Sequence, residues 1–378
     1  MMALSVRPTR AKRSFIVSCG TLSTLCCIAG SALAEAQVTA SQPPHLREPA
    51  SAKSTPPPAG VAGAAMPGAG KSVSFYYRQW TRLDGLIAGA RKVNPEWVVL
   101  NGKNINQPPE QYRRMPVEAT VDMQAFGVAY GLSQRFSIYV SGTYFKIDGT
   151  TLTFAGDAGT TRLGTTDFAY EGFGDSLAGV NAKIWSGQGQ QVIAGLSVSF
   201  PTGSITKHVE LLLPNGQLSD SKVGYAGQLG TGTFNLVPTL AYTGSNGAFG
   251  YGVAYRGRFA LEDENSEGYR RGSLNVATAW LSWAATQDLS GSLRIEGTSE
   301  GAFHGRDMEL SGPGLGSNPA NVGGERVNVF AGLDLHGAVA NLGNGRLAME
   351  FGLPVYENAN GIHLAHDWTL QMLIALRF

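Results

Sequence analysis

Beyond residue 34 the chain has no cysteine, because Cys19, Cys26 and Cys27 all fall in the opening segment. A mature protein without thiols has no disulfide framework and no cysteine-based metal or redox centre. Charged residues are scarce, at 15% of the 378 residues, and none of them cluster into the basic patch that nucleic-acid binding requires. Long apolar runs are missing too. No stretch after residue 34 approaches the roughly 20 apolar residues of a spanning helix, which excludes a helical membrane protein. What the chain has in excess is glycine, with 50 residues, alongside 16 Phe and 13 Tyr spread along its length. Such a composition suits neither a helical bundle nor a disordered chain; it suits an all-β protein with apolar residues alternating along strands.

Arg7, Arg10, Lys12 and Arg13 form a basic opening, followed by a mostly apolar stretch over 14–30 and the small-x-small triplet Ala32-Leu33-Ala34. This is the pattern of a secretory signal peptide over residues 1–34. Without its four basic residues the chain carries 25 Lys+Arg against 28 Asp+Glu, a net charge of −3 with histidine neutral. Residues 35–71 then bring Pro43, Pro44, Pro49, Pro56, Pro57, Pro58 and Pro67 among Ala, Gly and Ser. So few aromatic or β-branched residues predict a Pro/Ala-rich periplasmic linker with no core of its own.

From Ser72 to Phe378 the apolar residues recur with a period of two. Trp368, Leu370, Met372, Ile374, Leu376 and Phe378 share one face of the last segment, opposite Thr369, Gln371, Ala375 and Arg377. Runs of this kind mark half-buried strands. They lie near 72–80, 115–130, 135–147, 173–185, 190–201, 226–243, 248–260, 272–286, 289–303, 324–337, 344–356 and 366–378, which makes about twelve. Short turns centre on Leu132-Ser133, Gly187-Gln188, Ser245-Asn246, Gln287-Asp288 and Asn341-Leu342. They alternate with long loops over 81–114, 148–172, 202–225, 261–271, 304–323 and 357–365. Pro201 and Pro354 each close an apolar run, and Pro238 inside a run predicts a bulge or a rim.

The polar face of these strands decides between architectures. Glu118, Asp122, Asp175, Lys183, Arg256, Arg258, Arg294, Glu296, Asp334 and Glu350 are assigned to it. A soluble barrel would bury its apolar face, whereas charges enclosed inside demand water or partners. The apolar face therefore meets lipid, and the prediction is a transmembrane antiparallel up-and-down β-barrel in the bacterial outer membrane, with short turns on the periplasmic side. The ten residues named are predicted to line its lumen. A ring of about twelve strands is narrower than the 16–18 strands of open porins. Two readings of the lumen stay open: a charged constriction that selects solutes, or charges that neutralise one another and fill it.

Several patches resemble a known family. Phe75-Tyr76-Tyr77-Arg78 with Leu83-Asp84-Gly85 resembles an opening strand, and Tyr130-Gly131-Leu132-Ser133-Gln134-Arg135 a strand-joining turn. Gly172-Phe173-Gly174-Asp175, Phe200-Pro201-Thr202-Gly203 and Leu353-Pro354-Val355-Tyr356-Glu357-Asn358 resemble its strand ends. The family is that of the outer-membrane channels associated with the meta-pathway of phenol degradation. The resemblance implies a channel for small, hydrophobic or aromatic solutes, with outer-membrane lipid as its surroundings and no cofactor. The terminal Phe378, closing an alternating stripe, resembles the signal read by the barrel assembly machinery.

Enzymatic readings are weaker. An outer-membrane phospholipase barrel needs a nucleophilic Ser beside a His and an orienting polar partner. His304, His363 and His366 fall in or beside loops, and His336 is predicted to face inward, with no such serine motif near them. His363 and His366 abut a strand, where successive side chains alternate, so they are not read as a metal pair.

Overall fold

The computed structural model describes residues 55–106, 108–337 and 345–378. The signal peptide, residues 35–54, the turn at Asn341-Leu342 and the side chain of His336 lie outside the described residues. Twelve strands form a closed ring. They are β1 (Ser72–Ala88), β2 (Arg114–Gly131), β3 (Phe136–Phe154), β4 (Ser176–Gly187), β5 (Gln190–Phe200) and β6 (Asn235–Asn246). The second half comprises β7 (Phe249–Ala260), β8 (Leu274–Ala284), β9 (Leu289–Glu300), β10 (Gly324–Gly337), β11 (Gly345–Ala359) and β12 (Ile362–Arg377). Each pairs antiparallel with the next, and β12 returns to β1 from Val73↔Arg377 up to Ala88↔Ile362. No edge is left unpaired in the ring, which is what hydrocarbon demands of backbone N–H and C=O groups.

The predicted strands correspond one for one to this ring. Their lengths differ mainly in the first third, where β1, β2 and β3 run for 17, 18 and 19 residues. Their extra length lies at the long-loop end and stays paired, β1 with β12 up to Ala88↔Ile362 and β2 with β3 up to Arg114↔Thr153. Arg91–Val93 folds back on β1, and Arg162–Phe173 pairs with β3. Between them stands a helix, α1 (Pro95–Asn101), where Asn94 Oδ1 accepts from the Trp97 N–H at 2.8 Å and Pro95 opens the first turn. All three fall in segments expected to be loops. Arg162–Phe173 alternates exposed with half-buried residues and has no apolar face, so periodicity alone gives no signal there.

Side chains divide by parity between an outer and an inner face. Phe126, Val128 and Tyr130, then Phe136, Ile138 and Val140, then Leu293 and Ile295, then Met349, Phe351 and Leu353 project outward and are exposed. Glu118 and Asp122 share the parity of Phe126, Val128 and Tyr130, so they face outward, not into the lumen as predicted. Asp122 stands beside Lys146 and Trp80 in the register. The cause is the length of β2: its lower end carries the apolar band, while its upper half pairs charges along the outer wall. Arg78 holds Asp122 through Nε at 2.9 Å and through its Nη2 at 2.7 Å, and lies 4.2 Å above the Trp80 ring. Arg82 holds Glu118 through Nη2 alone, while its Nη1 donates to Thr120 Oγ1 at 3.4 Å.

The prolines behave differently from expectation in two places. Pro201 follows the last residue of β5. Pro238 sits inside β6 without a register shift; the ladder to β7 simply skips Val237 and Pro238, while pairing with β5 continues. Pro354 does not end its strand, because β11 continues to Ala359 past an irregularity between Val327 and Asn328 opposite it.

The outward pair of Arg78 and Asp122 is testable. Asp122→Asn leaves a guanidinium half-paired on the outer wall, and its expected effect is a loss of about 1–3 kcal/mol, by the cost of an uncompensated polar group. Adding Arg78→Gln should recover part of that loss. Heat-modifiability on gels measures both, and an unchanged unfolding temperature for Asp122→Asn would show that the pair carries no stability.

Candidate functional site

The inner face of β9 to β12 is lined by one continuous charge network. Arg294 is 1% exposed; its Nε meets Glu350 Oε1 at 2.8 Å, Nη1 meets Glu296 Oε2 at 2.6 Å, and Nη2 donates to Gln371 Oε1 at 2.9 Å. Its guanidinium carbon lies 3.9 Å from the Phe330 ring centre. Gln371 passes the network to β1 by donating to Gln79 Oε1 at 3.1 Å, which also accepts from the Tyr77 hydroxyl at 2.9 Å. Closer to the short turns, Arg346 Nε binds Asp334 Oδ2 at 2.8 Å. Arg294, Glu296, Asp334 and Glu350 thus lie on the strand face opposite the exposed apolar side chains.

Residues 55–71 occupy the space these groups enclose. The Gly60 N–H donates to Glu350 Oε2 at 2.6 Å, and Arg346 donates to the Pro57 carbonyl. A Cβ at Gly60 would press on the side-chain ends of Arg294 and Gln371, which would have to leave their present partners to admit it. Val61 and Ala64 pack on Ala241, Ala254 and Trp280, and Gly70 donates to the Gly131 carbonyl at 2.8 Å as the segment leaves for β1. This corrects the expectation of a free linker for residues 55–71. Such a segment cannot build its own core, and its extended backbone offers unsatisfied carbonyls and amides. The lumen supplies both a surface and partners.

Toward the long loops a second set of charges lines the wall. Arg258 donates to Glu300 Oε1 at 2.8 Å and to the Gly272 carbonyl at 3.3 Å, and Arg271 lies 3.4 Å from the same carboxylate. Arg326 reaches the His366 Nε2 at 2.6 Å, and His366 Nδ1 meets Glu357 Oε1 at 2.6 Å. None of these partners of His366 is a serine. His363 instead meets the Leu364 and Gly323 carbonyls, so the two histidines serve different contacts. Arg256 and Lys183 face inward opposite Thr239 and Ile193, and neither side chain has a hydrogen bond or ion pair with the described residues. Asp175 is a correction. It precedes β4 and accepts from the Gly203 N–H at 3.0 Å, the Thr231 N–H at 3.0 Å and the Thr231 hydroxyl at 2.7 Å. It therefore clasps two loops together and does not line the lumen, because its strand begins one residue later.

Sequence periodicity missed a third cluster, which ties the long loops to one another. Lys222, in the hairpin of His208–Leu212 with Leu218–Lys222, has its ammonium 2.7 Å from Glu267, 2.8 Å from Asp307 and 3.0 Å from Glu309. Its side chain is buried, yet the three carboxylates outweigh desolvation and hold its pKa above the ordinary lysine range. Glu267, Asp307 and Glu309 are arranged as three oxygen ligands could be around a cation, and the lysine ammonium occupies that position. Beneath them Tyr225, Tyr269 and Phe303 pack with Leu310 and Val322, the first two rings edge to face at 4.9 Å. No alternating pattern announces such a cluster, since its members come from three separate loops.

The cap is expected to respond to pH through His208, whose Nε2 lies 2.8 Å from Glu309 Oε1. That hydrogen bond raises the His208 pKa, and the same contact, with Lys222, lowers that of Glu309. The histidine's contribution is complete below its unfolded pKa of about 6.5 and is lost as pH rises through the raised folded value. The glutamate's contribution is lost only as pH falls through its lowered value. Amide protection factors in residues 304–312, with the intrinsic pH dependence of exchange divided out, should therefore rise between pH 8 and pH 6, and His208→Ala should abolish the rise; equal protection at both values in the parent would refute the coupling.

No family model matches this chain, and no curated protein matches it. Solved structures do. The crystal structure of an outer membrane channel from Pseudomonas putida F1 aligns over 84% of this chain and 98% of that one, at 15% identity and a TM-score of 0.52. The NanC porin aligns over 80% and 98% at 10% identity, with a TM-score of 0.39. The toluene transporter TodX of P. putida aligns over 82% and 89% at 9% identity, also at 0.39. The first of these shares the architecture of the ring described above, and with its closed wall and exposed apolar band the chain is a β-barrel of the bacterial outer membrane.

Proposed function

We propose that the chain is an outer-membrane channel for small solutes with a substantial apolar part, throttled by its own residues 55–71. The observation that carries this reading is the seating of that segment against Glu350, Arg346, Ala241 and Trp280 inside a twelve-stranded ring. A ring of this size is too narrow for general diffusion even when empty, and the segment narrows it further. The charges of β9 to β12 serve to hold the segment, which unites the two sequence-based readings of the lumen: they are paired, and they also define what remains open. The outer membrane channel of P. putida and the toluene transporter named above are consistent with a solute-transport role and supply no solute for this chain.

Single-channel recording in planar bilayers tests the reading. Gly60→Val drives a side chain into Arg294 and Gln371, and the expected result is a severalfold rise in mean conductance as the segment is displaced. Conductance identical to the parent, in a variant that folds normally, would mean that residues 55–71 do not limit flow.

Phe378 belongs to the same proposal as the residue that the barrel assembly machinery recognises. Its side chain is 67% exposed and its backbone pairs with Ser72, so it holds little of the barrel together through packing. Phe378→Ala should lower the amount of folded barrel in the outer membrane while leaving the unfolding temperature of the assembled fraction unaltered. Parental levels of folded protein would remove this role.

A further inference from the structure

We infer that Arg256 is the docking point for a solute carboxylate, in a chamber between the inner segment and the loops; this rests on the channel reading and names its solute class. The inner guanidiniums around it are already engaged. Arg294 is held by Glu350 and Glu296, Arg258 and Arg271 by Glu300, Arg326 by His366, and Arg346 by Asp334. Arg256 is exposed on the inner wall and has no such partner among the described residues.

Its position follows from β7. Gly250, Gly252, Ala254, Arg256 and Arg258 succeed one another on the inner face from the short-turn end upward. Ala254 and Val61 pack against the cluster of Ala64, Ala241 and Trp280, and Gly63 abuts Thr239, the register partner of Arg256 on β6. The inner segment is thus the floor, and Arg256 is the first charge above it. Its other register partner, Val276, is apolar and half-buried. Across β3 to β6 the same wall presents Thr239, Asn181 and Ser137, each buried with a side-chain oxygen that has no hydrogen-bond partner.

Charge balance sets the ligand's sign. Arg256, Arg258, Arg271, Arg294 and Arg326 stand against Glu296, Glu300, Glu350 and Glu357, five to four, with His366 neutral. One unit of positive charge remains among these groups, and it sits on Arg256; Lys183, the other inward cation without a partner among the described residues, lies nearer the short turn that ends β4. A single guanidinium fork matches a planar carboxylate in two parallel hydrogen bonds. A monoanion neutralises the site, whereas a cation would add to the excess. The solute class is therefore a monocarboxylate whose apolar body rests toward Val276.

Benzoate and its uncharged counterpart benzyl alcohol separate the charge from the ring. Titration calorimetry on the full folded chain in detergent should show benzoate binding that weakens about tenfold or more in Arg256→Gln, the scale of one lost charge-assisted pair. Arg256→Lys should retain part of it, and benzyl alcohol should bind equally to all three proteins. Equal benzoate affinity in the parent and Arg256→Gln would overturn the proposal, as would absence of benzoate binding by the folded parent. Binding is read here without transport, whereas bilayer conductance of the parent and Gly60→Val reads the channel independently, so failure of one leaves the other standing.

Discussion

Ring closure is the constraint on which the rest of this structure depends. In hydrocarbon no water is present to satisfy a free strand edge, so β1 must find β12 across nearly 300 residues of sequence. The pairing from Val73↔Arg377 to Ala88↔Ile362 does this. It also fixes which side chains share the enclosed space. Gln79 and Gln371 become register partners, and through them the network that begins at Arg294 on β9 reaches β1.

Once the ring is closed, its polar face has to be reconciled with a confined volume. Arg294, Glu296 and Glu350 could not remain there ionised without close partners, given the cost of burying a lone charge. They pair with one another, and the carboxylate oxygen of Glu350 left over by Arg294 accepts from the backbone of Gly60. The chain's own N-terminal segment therefore completes the hydrogen-bonding of the lumen that it narrows. Where such completion is absent, at Arg256, the wall retains a charge available to a solute. Packing, electrostatics and function meet on the same few strands.

The long loops follow a different physical logic. The first two extend the barrel wall through Arg91–Val93 on β1 and Arg162–Phe173 on β3, and in the others two short antiparallel pairings, His208–Leu212 with Leu218–Lys222 and Tyr269–Arg270 with His304–Gly305, give local order. Long-range order comes from the buried ammonium of Lys222 among three carboxylates and from the rings of Tyr225, Tyr269 and Phe303 below it. A charge cluster over an aromatic cluster resists opening, because the ion pairs exclude water from the rings and the rings lower the local dielectric around the ions.

The sequence by itself determined the number of ring strands, their order and the alternation that sets polar side chains opposite the apolar band. A period of two is set by the pleat and needs no knowledge of neighbours. Tertiary structure alone decided the rest. The outward turn of Glu118 and Asp122 depends on how far β2 rises beyond the apolar band, and on Arg78 and Arg82 standing beside it in the register. Asp175 became a loop clasp because the strand starts at Ser176. Residues 55–71 look unstructured in sequence since they lack apolar residues enough to fold alone. Their order is borrowed from Ala241, Trp280, Arg346 and Glu350, residues between about 180 and 290 positions away, which only the closed ring brings to them.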